Sequence, residues 1–406
     1  MKVGSLLVEH EVEESVDLCH KYAISVEANT IPPRPIPPSH TGTAEMIRAE
    51  ILRDGAISFA RYMQLALYSP ESGYYEAHAR TIGRGGDYFT NVSVGPMFGE
   101  LIAVQILDWI HQHQLSRGKI CIVEGGAHNG LLARDILKAL RQHAPPLLHR
   151  IEYVMLEPSA ARQAWQRQTL ADFPETVKHV ASWNDLEPFE GIALSNELMD
   201  AFPLHRFVWD RTHGSWRETG VTLNAEGLAW TILDRDGDDI AAQLTEAGFP
   251  AMDSMGDVLP NGYVLEDAPQ ARAWWRMGAE KLRRGCLVAI DYGGEVKDLL
   301  IPERTQGTAR AYFQHSVSSD LLERPGLQDL TAHVNFTALE RSGNDAGLRT
   351  EILSSQERFL TRVLASWAKL HPHTPGWSDQ QKAQIRTLIH PNHFGTAFKV
   401  LVQSRP

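Results

Sequence analysis

Residues 120–130 set an apolar run, Ile120-Cys121-Ile122-Val123, against an acid and a glycine-rich turn, and Leu131 to Leu137 then opens a helical pattern. Strand, tight turn and helix N-terminus in that order form the place where doubly wound sheets hold a nucleotide-like cofactor. The turn reads Glu124-x-Gly126-x-His128-x-Gly130. A dinucleotide site wants glycine at the middle position so that backbone can approach a pyrophosphate closely. S-adenosyl-L-methionine carries no phosphate, so a side chain at His128 does less damage, and the motif leans toward a methyl donor. Glu124 stands where it can hold that donor's ammonium group, directly or through water.

Glu157 closes the next apolar run, 27 residues after Gly130. A carboxylate there is placed to accept hydrogen bonds from both ribose hydroxyls of the cofactor; the plain alternative is a solvated acid at a strand end. Trp183-Asn184-Asp185 falls where adenine edge contacts belong, with Asp185 the polar candidate and Trp183 equally readable as core. Ser195 to Pro203 ends another strand and gathers Asn196, Glu197 and Asp200 among apolar neighbours. Strand C-termini at the switch point are where an open α/β sheet meets its ligand, so these three are the catalytic candidates. A helix cap and turn cluster is the bland reading. Asp291-Tyr292-Gly293 reads equally as an acceptor-pocket wall and as a structural turn. His333 reads more readily as a packed, hydrogen-bonded histidine than as a proton acceptor.

The elements that would position these residues follow from hydropathy. Ile120–Val123, Ile151–Leu156, Gly191–Ser195 and Cys286–Ile290 are short, largely apolar runs suited to parallel strands buried on both faces. Ala397 to Gln403 reads as a final strand. Ala44 to about His113 is mostly helical in pattern, with glycine-rich, aromatic interruptions at 68–75 and 82–90. The division expected is an arm with a proline-rich linker over 1–46, a helical segment with lid loops over 47–115, and a cofactor-binding domain over 116–406. That domain carries an insertion over about 207–280, rich in tryptophan, which starts like a hairpin and ends in a helix from Asp267 to Arg283. The 406 residues hold 39 basic against 50 acidic side chains, net −11, which argues against a nucleic-acid partner. Cys19, Cys121 and Cys286 are far apart and expected as thiols rather than as a disulfide or metal site. No apolar stretch reaches membrane-spanning length. The acidic N-terminal residues Glu9, Glu11, Glu13 and Glu14 do not read as a transit peptide. A cytoplasmic enzyme is the expectation.

Taken together, several segments resemble the MidA-type family of class I methyltransferases, which includes the mitochondrial arginine methyltransferase that assists assembly of respiratory complex I. They are Ile57-Ser58-Phe59, Ala66 to Pro70, Gly73-Tyr74-Tyr75, Gly86-Asp87-Tyr88-Phe89-Thr90, Asn196-Glu197, Asp200 to Pro203, Asp291-Tyr292-Gly293 and Gln328 to Phe336. The similarity runs from about residue 45 to the C-terminus. Where this family usually has three alternating glycines, the chain has Gly126, His128 and Gly130.

The resemblance implies a Rossmann-like α/β fold, a seven-stranded, mainly parallel sheet with its last strand antiparallel and helices on both faces. It implies S-adenosyl-L-methionine as cofactor and methylation of an arginine on a partner protein. Glu197 and Asp200 would clamp the guanidinium with Asn196 orienting it, while Asp87, Thr90, Tyr74 and Tyr75 close over donor and acceptor. Other readings are an O- or N-methyltransferase of a small molecule, a non-catalytic assembly platform, and a nicotinamide-dependent oxidoreductase. The partners expected are a protein or small-molecule acceptor and a second copy in a homodimer, with no nucleic acid and no membrane.

Overall fold

The structure, a computed structural model, describes residues 41–77, 90–115, 118–251, 258–314, 316–370 and 377–406. Its centre is a sheet whose main strands are β1 (Ile120–Gly125), β2 (Ile151–Leu156), β3 (Val177–Val180), β4 (Phe189–Asn196), β5 (Leu282–Gly294), β6 (Arg349–Ser355) and β7 (Phe398–Arg405). They lie in the order β3-β2-β1-β4-β5-β7-β6. Neighbours from β3 to β5 pair in parallel, and β7 runs antiparallel to both β5 and β6. The expected mainly parallel sheet with an antiparallel last strand is therefore present, with one strand more than the seven expected. An eighth, two-residue strand, Val334–Asn335, pairs in parallel with the end of β5.

Alternation within the strands builds two cores. In β1, Ile120 and Ile122 face one layer and Val123 the other. The first layer holds α1 (Met97–Gln112), α2 (Leu131–His143) and two C-terminal helices, Gln356–Leu370 and Asp379–Ile389. Eleven residues of α1 are buried, the signature of a helix surrounded by protein rather than lying on its surface. The second layer holds α3 (Pro269–Lys281) and α4 (Phe336–Asp345), packed through Ala271, Trp275 and Leu339. The helix at the end of the insertion thus covers the central sheet. Cys121 is half-buried and Cys286 buried, both as thiols.

The insertion builds a second, antiparallel sheet in which Ser215–Asn224 pairs with Ile57–Ser58, His205–Asp210 and Gly227–Ile232, and His205–Asp210 with Val264–Asp267. A three-stranded sheet around Arg310–Phe313 stands beside it. Ala332 N–H donates to the Asp200 carbonyl at 3.0 Å, fastening the segment after this third sheet to the turn that follows β4. No helix among the described residues is long and apolar enough to cross a membrane.

Candidate active site

Strand order reverses where β1 lies between β2 and β4, and the functional candidates collect at the C-terminal edge of that crevice. Register sets them level: Gly125 lies opposite Ser195, and Asn196 opposite Ile290. The crevice outside these strand ends is the usual ligand position of an open α/β sheet.

At the end of β1 the chain turns with positive φ at Gly126 (71°), His128 (48°) and Gly130 (81°), and Gly130 then caps α2. A Cβ on Gly126 would come within 2.9 Å of Leu198, and one on Gly125 would meet the Trp274 ring. These two glycines are needed for close approach. His128 accepts the left-handed conformation at a cost of about 1–3 kcal/mol. Its ring packs edge-on to Trp165, at 5.1 Å between centroids, and its carbonyl accepts from Gln166 Nε2 at 3.0 Å. Burial, with Arg162 nearby, pulls its pKa down to about 4, so the imidazole is neutral at pH 7 and does not repel a cationic ligand. His128→Gly exchanges backbone strain for a lost ring contact, two effects of similar size. Its S-adenosyl-L-methionine affinity is expected within about threefold of the parent by titration calorimetry.

Two acids flank the turn. Glu124, buried, accepts from the Tyr153 hydroxyl at 2.5 Å, and burial pushes its pKa up to about 7. Glu157, 3% exposed, accepts from Ser159 N–H at 2.9 Å and Gln166 Nε2 at 3.3 Å, and burial again raises its pKa. Gln166 therefore ties Glu157 to the carbonyl of His128.

The end of β4 carries the densest charge. Glu197 holds φ at 53°, a strained value for a non-glycine residue, and its N–H donates to the Ile290 carbonyl at 2.9 Å. Its Oε1 accepts from Asn91 N–H at 2.8 Å and Asn196 Nδ2 at 2.9 Å, while its buried Oε2 has no donor among the described residues. Burial pushes its pKa up to about 8, against the hydrogen bonds from Asn91 and Asn196. Asp200 is pushed well above the carboxylate range by burial and by Asp291, Asp329 and Glu197. Among the described residues, its own backbone N–H is the donor acting on it. Asp291 differs. Its Oδ2 accepts from the backbone N–H groups of Leu198, Met199 and Asp200 and its Oδ1 from Tyr292, so it fixes the turn that presents Glu197 and Asp200.

The remaining candidates divide by place. Tyr74 and Tyr75 are buried and stacked edge-on at 5.2 Å. Arg162 lies over the Tyr75 ring at 5.0 Å and donates to its carbonyl, which brings this pair beside Glu157. Tyr68 packs on Tyr75 and donates to the Ala201 carbonyl, so one aromatic wall reaches from beside Glu157 to the turn after β4. Thr90 caps the short helix Asn91–Val94 through its side chain. Asp185 is exposed and accepts from Ser182 within its own turn. Trp183 is buried between Phe189 and Trp274. Tyr292 lies against Phe398, and exposed His333 has Nδ1 3.0 Å from Arg304. Asp87, the Gly86 to Phe89 part of its motif and the residues 1–40 lie outside the described residues.

Asn91 is the residue that sequence reasoning missed. Fully buried, it donates backbone N–H to Glu197 and side-chain N–H to Asn196, and accepts from Gln356 Nε2 at 2.9 Å. Partners 105, 106 and 265 residues away leave no local signal.

These residues fit S-adenosyl-L-methionine. Buried Glu157 follows the neighbouring strand where it could accept from a ribose, the turn histidine is neutral, and Glu124, Glu197 and Asp200 at the strand ends suit a sulfonium and an ammonium. Among the described residues there is no metal-ligating group of three.

Cofactor-free protein is expected to lose stability between about pH 6.5 and 8.5. Glu124, Glu197 and Asp291, with folded pKa values of about 7, 8 and 7, bind protons that the unfolded chain has released. Below about 6.5 the depressed histidines oppose this trend, because the unfolded chain then binds the extra protons. Thermal melts at pH 6.5, 7.5 and 8.5 test the sign, and a flat or rising Tm contradicts it.

Known proteins resemble this chain over most of its length. Residues 101–354 match the family model described as "Putative S-adenosyl-L-methionine-dependent methyltransferase". The chain is 28% identical over 395 residues to the mitochondrial protein arginine methyltransferase NDUFAF7 homolog of Drosophila melanogaster, covering 89% of this chain and 84% of that one. It is 28% identical over 321 residues to the mitochondrial human protein of that name, covering 72% and 66%. A crystal structure from Burkholderia thailandensis, bound to S-adenosyl-homocysteine, superposes with a TM-score of 0.79 at 30% identity, covering 92% of this chain and 95% of that one. Family and site point the same way: the chain belongs to this methyltransferase family and is an S-adenosyl-L-methionine-dependent enzyme.

Proposed function

We propose that the enzyme methylates an arginine side chain on a partner protein. The observation that carries this reading is Glu197 Oε2, buried without a donor among the described residues, with the buried Asp200 carboxylate close enough to be raised by its charge. Such a pair calls for a cation with N–H groups in a plane, and a guanidinium, protonated below a pKa of about 12, offers them. The relatives named as protein arginine methyltransferases support the choice.

Bound S-adenosyl-L-methionine supplies an electrophilic methyl on a positive sulfonium. Glu197 and Asp200 draw guanidinium charge toward the nitrogens they hold, leaving the third better able to attack. Glu197 or Asp200 would take a proton from a guanidinium N–H it already holds as the third nitrogen bonds the methyl carbon and the C–S bond breaks to leave the neutral thioether. Asn196 and Asn91 keep the Glu197 carboxylate in one orientation, and Asp291 holds the turn. The Tyr68–Tyr75 wall and Trp274 keep water from the crevice, where proximity and orientation supply most of the acceleration.

The test is transfer of labelled methyl from S-adenosyl-L-methionine to arginine peptides, with lysine peptides as control and methylarginine identified by mass spectrometry. Labelling of the lysine peptides alone sinks the reading. A cytosolic location is part of the proposal, in keeping with the unbridged Cys121 and Cys286. Because the named relatives are mitochondrial, cell fractionation decides it.

A further inference from the structure

A cavity of about 40 Å³ opens beside Asp200, between the turn after β4, the first turns of α3 and α4, and the end of the insertion. At roughly 10–15 Å³ per water, it holds three or four water-sized groups, the size of a guanidinium head. Its walls are mostly apolar, with Phe202, Ala271, Ala338 and Leu339 among them. The polar groups on the wall are satisfied by other partners. Arg272 is paired with Asp267, Glu266 accepts from Thr308 and Ala309, and the Asn335 side chain spans Ala247 and Ala338. His333 Nδ1 lies 3.0 Å from Arg304, and buried Asp200 belongs both to this cavity and to the carboxylate cluster.

The opposite side of the turn is closed. Asn91 covers Glu197 Oε1 and Tyr68 holds the Ala201 carbonyl. On the cavity side Phe202 touches Trp274, at 6.5 Å between ring centroids, and Trp274 lies directly on Gly125 of the cofactor turn. One aromatic contact therefore separates the cavity from the methyl donor's position.

We infer that this cavity is the acceptor channel: the arginine side chain enters between α3 and α4, its aliphatic stem on Phe202 and Leu339 and its guanidinium at Asp200. A mostly apolar cavity with a buried carboxylate on its wall matches a side chain with a methylene stem and a cationic tip. The inference rests on the arginine reading proposed above and adds the route and the residues that select for it.

The experiment titrates N-acetyl-arginine methylamide, with the lysine analogue as control, into the full chain saturated with S-adenosyl-homocysteine. Ala271→Met and Ala338→Leu fill the cavity from two different helices, and Leu339→Ala removes wall atoms without crowding. Each is expected to weaken the arginine probe, by about tenfold for the filled variants, with S-adenosyl-L-methionine affinity within about twofold of the parent as the check on folding. Parent-like probe binding in the folded variants, with loss in Glu197→Gln, overturns the channel and leaves the arginine reading standing. No preference of the parent for arginine over lysine overturns both.

Discussion

Glu197→Gln is expected to lower the rate of methyl transfer by about 10²- to 10³-fold while S-adenosyl-L-methionine affinity stays within about twofold. The amide preserves shape and can still accept from Asn91 and Asn196 through its oxygen, so the turn after β4 keeps its anchors. What is lost is the negative charge of a group buried beside Asp200 and Asp291 and the proton acceptor it provides. In a dry site that charge acts on the acceptor far more strongly than it would in water. The parent enzyme is neutral at this position below about pH 8 in the absence of ligand, so its kcat/KM is expected to rise with pH toward that value. Glu197→Gln should flatten that limb. Steady-state kinetics from pH 6 to 9 check both statements, and an unchanged rate at parent-like cofactor affinity removes Glu197 from the reaction.

How much of this was legible in the chain depends on the range of the interaction. The turn at residues 124–130 could be read because strand, glycines and helix are contiguous, and the strands at its core are apolar on both faces. The strands Val177–Val180 and Arg349–Ser355 escaped because they are the two edges of the sheet. Edge strands are half-exposed, and these carry Lys178, His179, Arg349 and Glu351 in place of an apolar run. Asp185 and Glu157 show the same limit at the level of single residues. Both acids follow strand-like positions, yet Glu157 is buried and aligned by Gln166 whereas Asp185 is exposed and spent on Ser182. Asp291 could be read two ways from its motif. Four backbone N–H groups, three of them from a turn more than 90 residues away, show that its oxygens hold the neighbouring loop. Asn91 had no motif at all, because its meaning lies entirely in its distant partners.

Glu157→Ala is expected to weaken S-adenosyl-L-methionine binding by about 10²-fold, the effect of removing two charge-assisted hydrogen bonds from a ribose at a buried position. Each such bond contributes roughly 1.5–3 kcal/mol, so the loss of one already exceeds tenfold. The carboxylate is 3% exposed and pre-aligned by Ser159 and Gln166, so little ordering cost is left for binding to meet. Because burial raises its pKa, the parent's cofactor affinity should fall as pH is lowered, since protonation replaces an acceptor with a hydroxyl. The alanine variant should lose that pH dependence together with the affinity. Gln166→Ala offers a graded comparison: it releases Glu157 and the His128 carbonyl together without removing the carboxylate, and an intermediate loss of about three- to tenfold follows. Calorimetric titration of the three proteins at pH 5.5 and 7.5 decides it. Parent-like affinity in Glu157→Ala places the ribose elsewhere along the strand ends.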